Sequence, residues 1–398
     1  MSMPRAVRHL NEARALSALL KRGPMSRADL ARDLGVTRAT ASSIVGSLME
    51  SGYVADGPEQ GPERQRRTGR PSTLVSLRPG HAVFLGAGIA VDHVAFAAID
   101  LNASLIFSSS IPFDCAGSDY GTTAEFVAET ILDISTTAID SLQAIQGLGV
   151  AVPGPVDFHG NVMRAPMLGW RNVPLKQAIQ AHLPSIPVAH LDNDANAFAI
   201  ADVNRNGRPE AFDAVYLFIE DGVGGCVMHD GIILRGSHGY GGELGHIIVG
   251  EIGFAPDPTI EGSLESFIAR PALLARHGWY GGKAASVAAL VEALRSEEPA
   301  ARRAVDDWAH FLGRGVATLV SAMDPALVIL GGEVASLFPF ARDAVGASLR
   351  KHLLEENQSV AIELSPMGIE ASAYGVALIQ HKQFFALDNA ALFGAARM

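Results

Sequence analysis

Cysteine and long apolar segments are both scarce in this chain of 398 residues. Its two cysteines, Cys115 and Cys226, form no paired-spacing motif, so neither a disulfide nor a cysteine zinc cluster is expected. No uncharged apolar run is long enough to span a bilayer, and the charged N-terminal residues contain no signal-peptide core. We therefore expect a cytoplasmic protein without a membrane partner.

Basic residues are outnumbered overall, yet they dominate the N-terminal part of the chain. The net charge is −11. Residues 1–76 contain 12 Lys or Arg against 7 Asp or Glu, whereas the remainder contains 19 against 35. A basic head on an acidic body is typical of a small nucleic-acid-binding domain joined to a domain that stays off DNA. Chance clustering of charge is the alternative.

Helix signals near the N-terminus predict a helix-turn-helix. Apolar residues at helical spacing indicate a first helix over residues 5–21. Ser26 stands at the N-cap of a second helix that ends at Gly35. Thr37 caps a third helix that stops at Gly52.

The third helix presents short polar side chains and one arginine on its outer, N-terminal half. Side chains of this kind reach base edges and phosphates in a major groove. An ordinary solvated helical hairpin is the alternative, but the spacing and the caps together favour DNA binding. The predicted contacts are Arg38, Thr40, Ser42 and Ser43.

A segment rich in Gly, Pro and Arg between Val54 and Leu74 predicts the wing of a winged helix-turn-helix domain that covers residues 1–80. An arginine on an extended backbone can enter an A·T-rich minor groove, where the negative potential is enhanced. Arg67 and Arg70 are therefore predicted DNA contacts, with a solvated linker as the alternative.

Apolar strands alternate with helices from residue 81 onward, which indicates an α/β body. This pattern places Asp194 directly after a strand and at the start of a helix. A carboxylate in that position is firmly held and exposed to a cleft. An N-cap role is the alternative for this residue.

Several motifs follow one another in a distinctive order, namely GRPSTLVSL, GLGVAVPGPVD, GWRNVPL, DNDANAFAIAD, GGELGH and VILGGEVA. Together with the helix-turn-helix, they resemble the ROK (repressor, ORF, kinase) family over nearly the whole chain. The resemblance implies a two-lobed ribonuclease-H/actin-like sugar-kinase fold that assembles as a homodimer or homotetramer. We expect a small lobe at residues 81–200, completed by 372–398, and a large lobe at 201–371, with a ligand cleft between them.

The resemblance makes Asp194 the counterpart of a catalytic base, but both phosphate-binding loops depart from the family pattern. Ala90 and Val91 stand where glycines would allow a phosphate close to the backbone. Glu220 and Asp221 place carboxylates where a triphosphate would lie, and each would repel it by on the order of 1 kcal/mol. We therefore expect no enzyme activity and no cofactor, with Asp194 a vestigial base.

Six residues match family positions that hydrogen-bond sugar hydroxyls. Converging carboxylates and amides suit this task because each hydroxyl needs both a donor and an acceptor. A structural role is the alternative for any one of them. The predicted ligand contacts are Asn172, Asn193, Asp194, Glu243, His246 and Glu265.

The zinc motif of the family is lost. Pro256, Pro258 and Ser263 stand in place of its three cysteines, and His246 alone cannot hold a structural zinc ion. No metal is expected, and another means of placing Glu265 is needed.

These features predict a sugar-responsive transcriptional regulator that binds double-stranded operator DNA and a sugar effector. Of the two modes of regulation, we expect repression of carbohydrate-metabolism genes. A ROK sugar kinase with a fused DNA-binding domain is the first alternative, which Asp194 favours and both phosphate loops oppose. A constitutive DNA-binding protein with a ligand-free body is the second.

Overall fold

The N-terminal head is a winged helix-turn-helix, as predicted. The computed structural model describes residues 3–57, 73–139, 144–208, 212–256, 259–354 and 360–385. The helices of the head are α1 (Met3–Arg22), α2 (Arg27–Leu34) and α3 (Arg38–Glu50). Its strands are β1 (Met25–Ser26), β2 (Val54–Asp56) and β3 (Leu74–Leu77), in the antiparallel order β1-β3-β2.

The helix caps of the head are those that the sequence indicates. The Ser26 side chain accepts a hydrogen bond from the Asp29 amide, and the Thr37 side chain accepts one from the Thr40 amide. Gly35 ends α2 in the left-handed region with a φ of 68°, which glycine adopts without strain. Helix α3 stops at Glu50, before the predicted Gly52.

The first lobe of the body is built on a five-stranded sheet of order β10-β7-β4-β5-β6. Its strands are β4 (Val83–Ile89), β5 (His93–Asp100), β6 (Leu105–Pro112), β7 (Ile145–Val152) and β10 (Val188–Asn193). A separate ribbon pairs β8 (Val162–Ala165) with β9 (Trp170–Val173). The helices are α4 (Tyr120–Thr137), α5 (Leu175–His182), α6 (Asp194–Asn206) and the last helix, α12 (Ala371–Phe385). Helices α4 and α5 cover one face of the sheet, while α6 and α12 cover the other.

The second lobe has a sheet of order β13-β12-β11-β14-β15. Its strands are β11 (Ala214–Ile219), β12 (Val223–His229), β13 (Ile232–Ile233), β14 (Leu327–Gly331) and β15 (Ala361–Leu364). Its helices are α7 (Glu265–Ile268), α8 (Arg270–Trp279), α9 (Val287–Arg295), α10 (Pro299–Met323) and α11 (Phe338–His352). None of the helices in the described part of the chain is long and apolar enough to cross a membrane.

Helix α12 packs unusually close to its neighbours because two glycines remove side chains from the contact. A Cβ on Gly375 would overlap the backbone carbonyl of Ala197 in α6, and a Cβ on Gly86 in β4 would overlap the carbonyl of Ala373. Helix α12 can therefore pack closely against both α6 and the sheet.

The far end of α12 joins the body to the head through aromatic side chains. Phe384 lies 5.3 Å from Phe84 of β4 and 5.9 Å from Tyr53 of the head, measured between ring centroids. Tyr53 also meets His81 edge-on at 4.6 Å. Head and first lobe thus share one continuous hydrophobic core.

Candidate ligand cleft and DNA-binding surface

A cavity of about 290 Å³ lies between the two lobes, and residues of both sheets line it. Five of the six predicted ligand contacts lie on its wall, namely Asn193, Asp194, Glu243, His246 and Glu265. Asn172 is not among the lining residues. It lies exposed on β9 with a φ of 51°, so the structure does not bring it together with the other five.

Asn193, rather than Asp194, is the N-cap of α6. Its Oδ1 accepts hydrogen bonds from the amides of Ala195 at 2.9 Å and Asn196 at 3.3 Å, and its Nδ2 donates to the Gly154 carbonyl at 3.3 Å. Asp194 Oδ1 accepts a hydrogen bond from the Ala195 amide at 2.8 Å, and within the described residues its other carboxylate oxygen has no hydrogen-bond partner. This arrangement leaves Asp194 able to accept a ligand hydroxyl proton.

Burial controls the charge of the carboxylates in the cleft. Burial raises the pKa of Asp194 to about 7, the amide of Ala195 opposes the shift, and the negative charge of Glu243 adds to it. Burial also raises the pKa of Glu243, with His246 opposing and the charge of Glu265 adding to the shift. At neutral pH, the Asp194 carboxyl is therefore partly protonated and can offer a polyol a donor as well as an acceptor.

Replacing Asp194 with asparagine is expected to stabilise the protein at pH 8 more than at pH 5. The folded chain holds a proton on Asp194 up to about pH 7, whereas an aspartate in the unfolded chain has an ordinary pKa of 3.8, so stability falls as the pH rises between these values. The amide cannot ionise and escapes this loss. Urea unfolding of both proteins at the two pH values measures the difference.

Asp119→Asn is the control, because hydrogen bonds from Thr122 lower the pKa of the Asp119 carboxyl at the N-cap of α4. Both pH values lie above the unfolded pKa of 3.8, so the effect of this variant on stability is expected to be the same at pH 5 and pH 8. An effect of Asp194→Asn that is equal at both pH values would contradict the raised pKa.

Glu265 is held in the cleft without a cysteine cluster. Its Oε2 accepts a hydrogen bond from the Val223 amide at 3.0 Å, which fixes the turn between β11 and β12 against α7. The preceding loop is tied down by the Leu264 amide, which donates to the Ile247 carbonyl at 2.8 Å, and by Phe267, which stacks on Phe311 of α10 at 3.7 Å. Among the described residues, no group of three or more His, Cys, Asp or Glu side chains could hold a metal ion.

Arg270 lies between the two loops that the family resemblance assigns to phosphate. It forms ion pairs with Asp221 of the second loop at 2.5 Å, with Asp92 beside the first loop at 3.3 Å, and with Glu333 at 3.4 Å. Burial, opposed by the Glu333 amide, raises the pKa of Glu220 to about 7. Asp221 is thus neutralised by Arg270, and Glu220 is partly protonated. The two carboxylates therefore repel a triphosphate less than the sequence predicts.

A second ion pair crosses between the lobes next to Asp194. Arg235, which follows β13, donates to both carboxylate oxygens of Asp192 in β10, at 2.8 and 2.6 Å. Burial opposes ionisation of Asp192, but hydrogen bonds from His190 and Arg235 hold the pKa of its carboxyl well below the usual value. Asp192 also accepts from Asn196, so this ion pair supports the start of α6.

The predicted recognition helix has the expected orientation. Ala41, Ile44, Val45 and Leu48 of α3 are buried in the head, and the predicted contacts Arg38, Thr40, Ser42 and Ser43 are all exposed. Other arginines of the head form ion pairs with carboxylates of the head, for example Arg22 with Asp33 and Arg27 with Asp56. Within the described residues, the Arg38 guanidinium has no such partner, so it is available to DNA.

Strands β2 and β3 form the base of the wing. Val54 pairs with Leu77, and Asp56 pairs with Val75. The predicted contacts Arg67 and Arg70 lie outside the described residues.

A winged helix-turn-helix head on a two-lobed body with a polar cleft defines a DNA-binding protein of the sugar-kinase fold. A model of the ROK family matches residues 85–383, and a model of the MarR family matches residues 8–65. The chain belongs to the ROK family.

Individual relatives include both regulators and kinases. The xylose repressor of Caldicellulosiruptor bescii is 26% identical over 353 residues, which cover 83% of this chain and 85% of the relative. The crystal structure of a ROK family transcriptional regulator, a homologue of the E. coli MLC protein, has a TM-score of 0.76 at 20% identity and covers 96% of this chain and 98% of its own. The ROK hexokinase of Thermus thermophilus has a TM-score of 0.59 at 28% identity, and the match covers 74% of this chain and 97% of the hexokinase chain.

Sequence reasoning missed several residues of the cleft. Arg164, Met167 and Ser372 line it, and Arg270 joins the two loops that the family resemblance assigns to phosphate. Arg270 and Asp92 are 178 residues apart in the chain, so no local motif could have linked them.

Proposed function

We propose that this protein is a sugar-responsive transcriptional repressor whose kinase-like body binds the effector without using ATP. The observation that carries the proposal is that one helix, α12, forms part of both the cleft and the contact with the DNA-binding head. Similarity over most of the chain to a protein named as a xylose repressor supports a sugar effector.

Helix α12 gives the cleft a direct mechanical route to the head. Ser372, near its beginning, lines the cleft, and Phe384, near its end, contacts Tyr53 beyond α3. A ligand that binds one arrangement of the lobes more tightly shifts the protein towards that arrangement. Movement of α12 with the first lobe then changes the position of α3 relative to the second lobe.

A homo-oligomer would turn this movement into a change of operator affinity. Helix-turn-helix heads act in pairs on half-sites that are separated by one helical turn of DNA or a multiple of it. A change in the spacing of two heads therefore weakens binding even when each head keeps its own contacts. We propose that the effector releases the operator in this way.

The absence of ATP use is proposed from Arg270, whose three ion pairs occupy the space between the phosphate loops. A sugar kinase remains the second candidate, because Asp194 faces the cleft and the Thermus thermophilus hexokinase has the same fold. Sugar-dependent ATP turnover that disappears in Asp194→Asn would favour the kinase.

Replacing Arg38 with alanine is expected to weaken operator binding by roughly 10- to 100-fold and to relax sequence preference at the base it contacts. Arg38 is exposed at the first turn of α3 and has no ion-pair partner in the described chain. Quantitative footprinting on an operator selected from a randomised DNA pool measures both effects.

Arg350→Ala is the matched control, because Arg350 is an exposed arginine near the end of α11 in the second lobe. It should leave operator binding unchanged. Equal binding by the Arg38 variant and the native protein would refute the assignment of α3 as the recognition helix.

A further inference from the structure

Two arginines lie directly opposite each other on the small ribbon beside the cleft. Arg164 of β8 pairs with Arg171 of β9 in the antiparallel register, and both are exposed. Side chains of directly opposed residues lie on the same face of a ribbon, about 5 Å apart at their Cβ atoms. Like charges in this position repel each other, and a bound anion would offset that repulsion.

No carboxylate of the described chain supplies that anion. Other arginines of the body are ion-paired, for example Arg208 with Asp202, Arg235 with Asp192 and Arg276 with Asp307. Neither Arg164 nor Arg171 has an ion pair or side-chain hydrogen bond within the described ranges. Their positive charge is thus left uncompensated next to a cleft that is otherwise rich in carboxylates.

The ribbon is fixed close to the predicted sugar contacts. The backbone of Gly154 lies against the carbonyl of Arg164 so tightly that a Cβ on Gly154 would overlap it. The Gly154 carbonyl in turn accepts the hydrogen bond from Asn193, the residue before Asp194. Arg164 itself is exposed and lines the cavity, whereas Arg171 is not among the lining residues and lies opposite Arg164 on the ribbon.

We propose that Arg164 and Arg171 form an anion subsite at the mouth of the cleft, which binds a phosphate or carboxylate group carried by the sugar effector. This inference rests on the proposed function, since it assigns a chemical class to the ligand of the same cleft. Guanidinium groups bind both anions through paired, charge-assisted hydrogen bonds. Asp194, Glu243 and Glu265 contact hydroxyl groups at the inner end, where a second anion would be repelled.

The test compares matched sugars that differ only in the anionic group. Full-length protein is titrated calorimetrically with glucose, glucose 6-phosphate and glucuronate, and with N-acetylglucosamine and its 6-phosphate, at constant ionic strength. We expect an anionic member to bind more tightly than its neutral parent. The phosphate and glucuronate arms distinguish the two sources of charge, and inorganic phosphate alone is expected to compete with the tighter ligand.

The variant Arg164→Met is expected to weaken binding of the anionic sugar by roughly 10- to 100-fold, while binding of the neutral parent changes little. Its melting temperature without ligand should be equal to or above that of the native protein, because the repulsion between the arginines is removed. Arg350→Met, an exposed arginine outside the cleft, is the matched control.

Each outcome decides between the two proposals. Neutral sugars that bind and release DNA, with anionic sugars binding no better and Arg164→Met without effect, would overturn the anion subsite and leave the proposed function standing. If no sugar of either kind binds, the proposed function fails and the subsite fails with it.

Discussion

Replacing Arg235 with methionine is expected to lower the free energy of unfolding by about 3 kcal/mol, because it leaves a buried carboxylate without its counterion. The Asp192 side chain is 2% exposed, whereas that of Arg235 is 39% exposed. Water can therefore replace part of the lost interaction, which places the effect at the lower end of those measured for broken buried ion pairs. Urea unfolding of the two proteins at pH 7 measures the loss.

The double variant Asp192→Asn/Arg235→Met is the control for this interpretation. It removes the buried charge together with its partner, so we expect it to recover a large part of the lost stability. The pKa of Asp192 is lowered in the folded protein, so the ion pair stabilises above the unfolded value near pH 4 and this contribution is lost as the pH falls through the folded pKa. A single variant as stable as the native protein would contradict this account, as would a double variant no better than the single one.

The second large effect is expected from Gly375→Ala, which should lower the free energy of unfolding by about 1–3 kcal/mol. The new methyl group would overlap the Ala197 carbonyl of α6, and backbone atoms cannot move aside as a flexible side chain can. The two helices would be forced apart. Because α6 begins at Asp194 and α12 reaches the head, we also expect a weaker ligand response of operator binding in protein that still folds.

Gly346→Ala in α11 is the matched control for Gly375→Ala. Its methyl group would meet only the flexible end of Arg350, at 3.3 Å from Nη1. Alanine favours the helix over glycine by up to about 1 kcal/mol, so this variant should be equal to or more stable than the native protein. Thermal unfolding that ranks the two variants in the opposite order would contradict the close packing of α12.

Local chemistry explains which parts of the structure could be predicted from the sequence. The caps Ser26 and Thr37 act within three residues, so the head was predicted with its helix starts in place. Asp194 and Glu243 were predicted for the cleft through ordered family motifs, and the structure brings them together.

The remaining features depend on contacts between distant parts of the chain. Asp192 and Arg235 are 43 residues apart, and Arg270 lies 178 residues from Asp92, so neither ion pair leaves a local pattern. The family motif predicts Asn172 in the cleft, but in the structure it is exposed on β9, where its backbone has a φ of 51°. The role of α12 was also hidden, because its contacts with head and cleft arise only from tertiary packing.

The most direct test of the central claim is the affinity of the full-length protein for its selected operator, measured by fluorescence anisotropy with and without a sugar that binds the cleft. We predict that the saturating sugar weakens operator binding by about 5- to 150-fold, the range of ordinary allosteric coupling, and that Glu243→Gln reduces this response. Unchanged operator affinity with the cleft fully occupied would contradict the claim that the cleft controls the DNA-binding head.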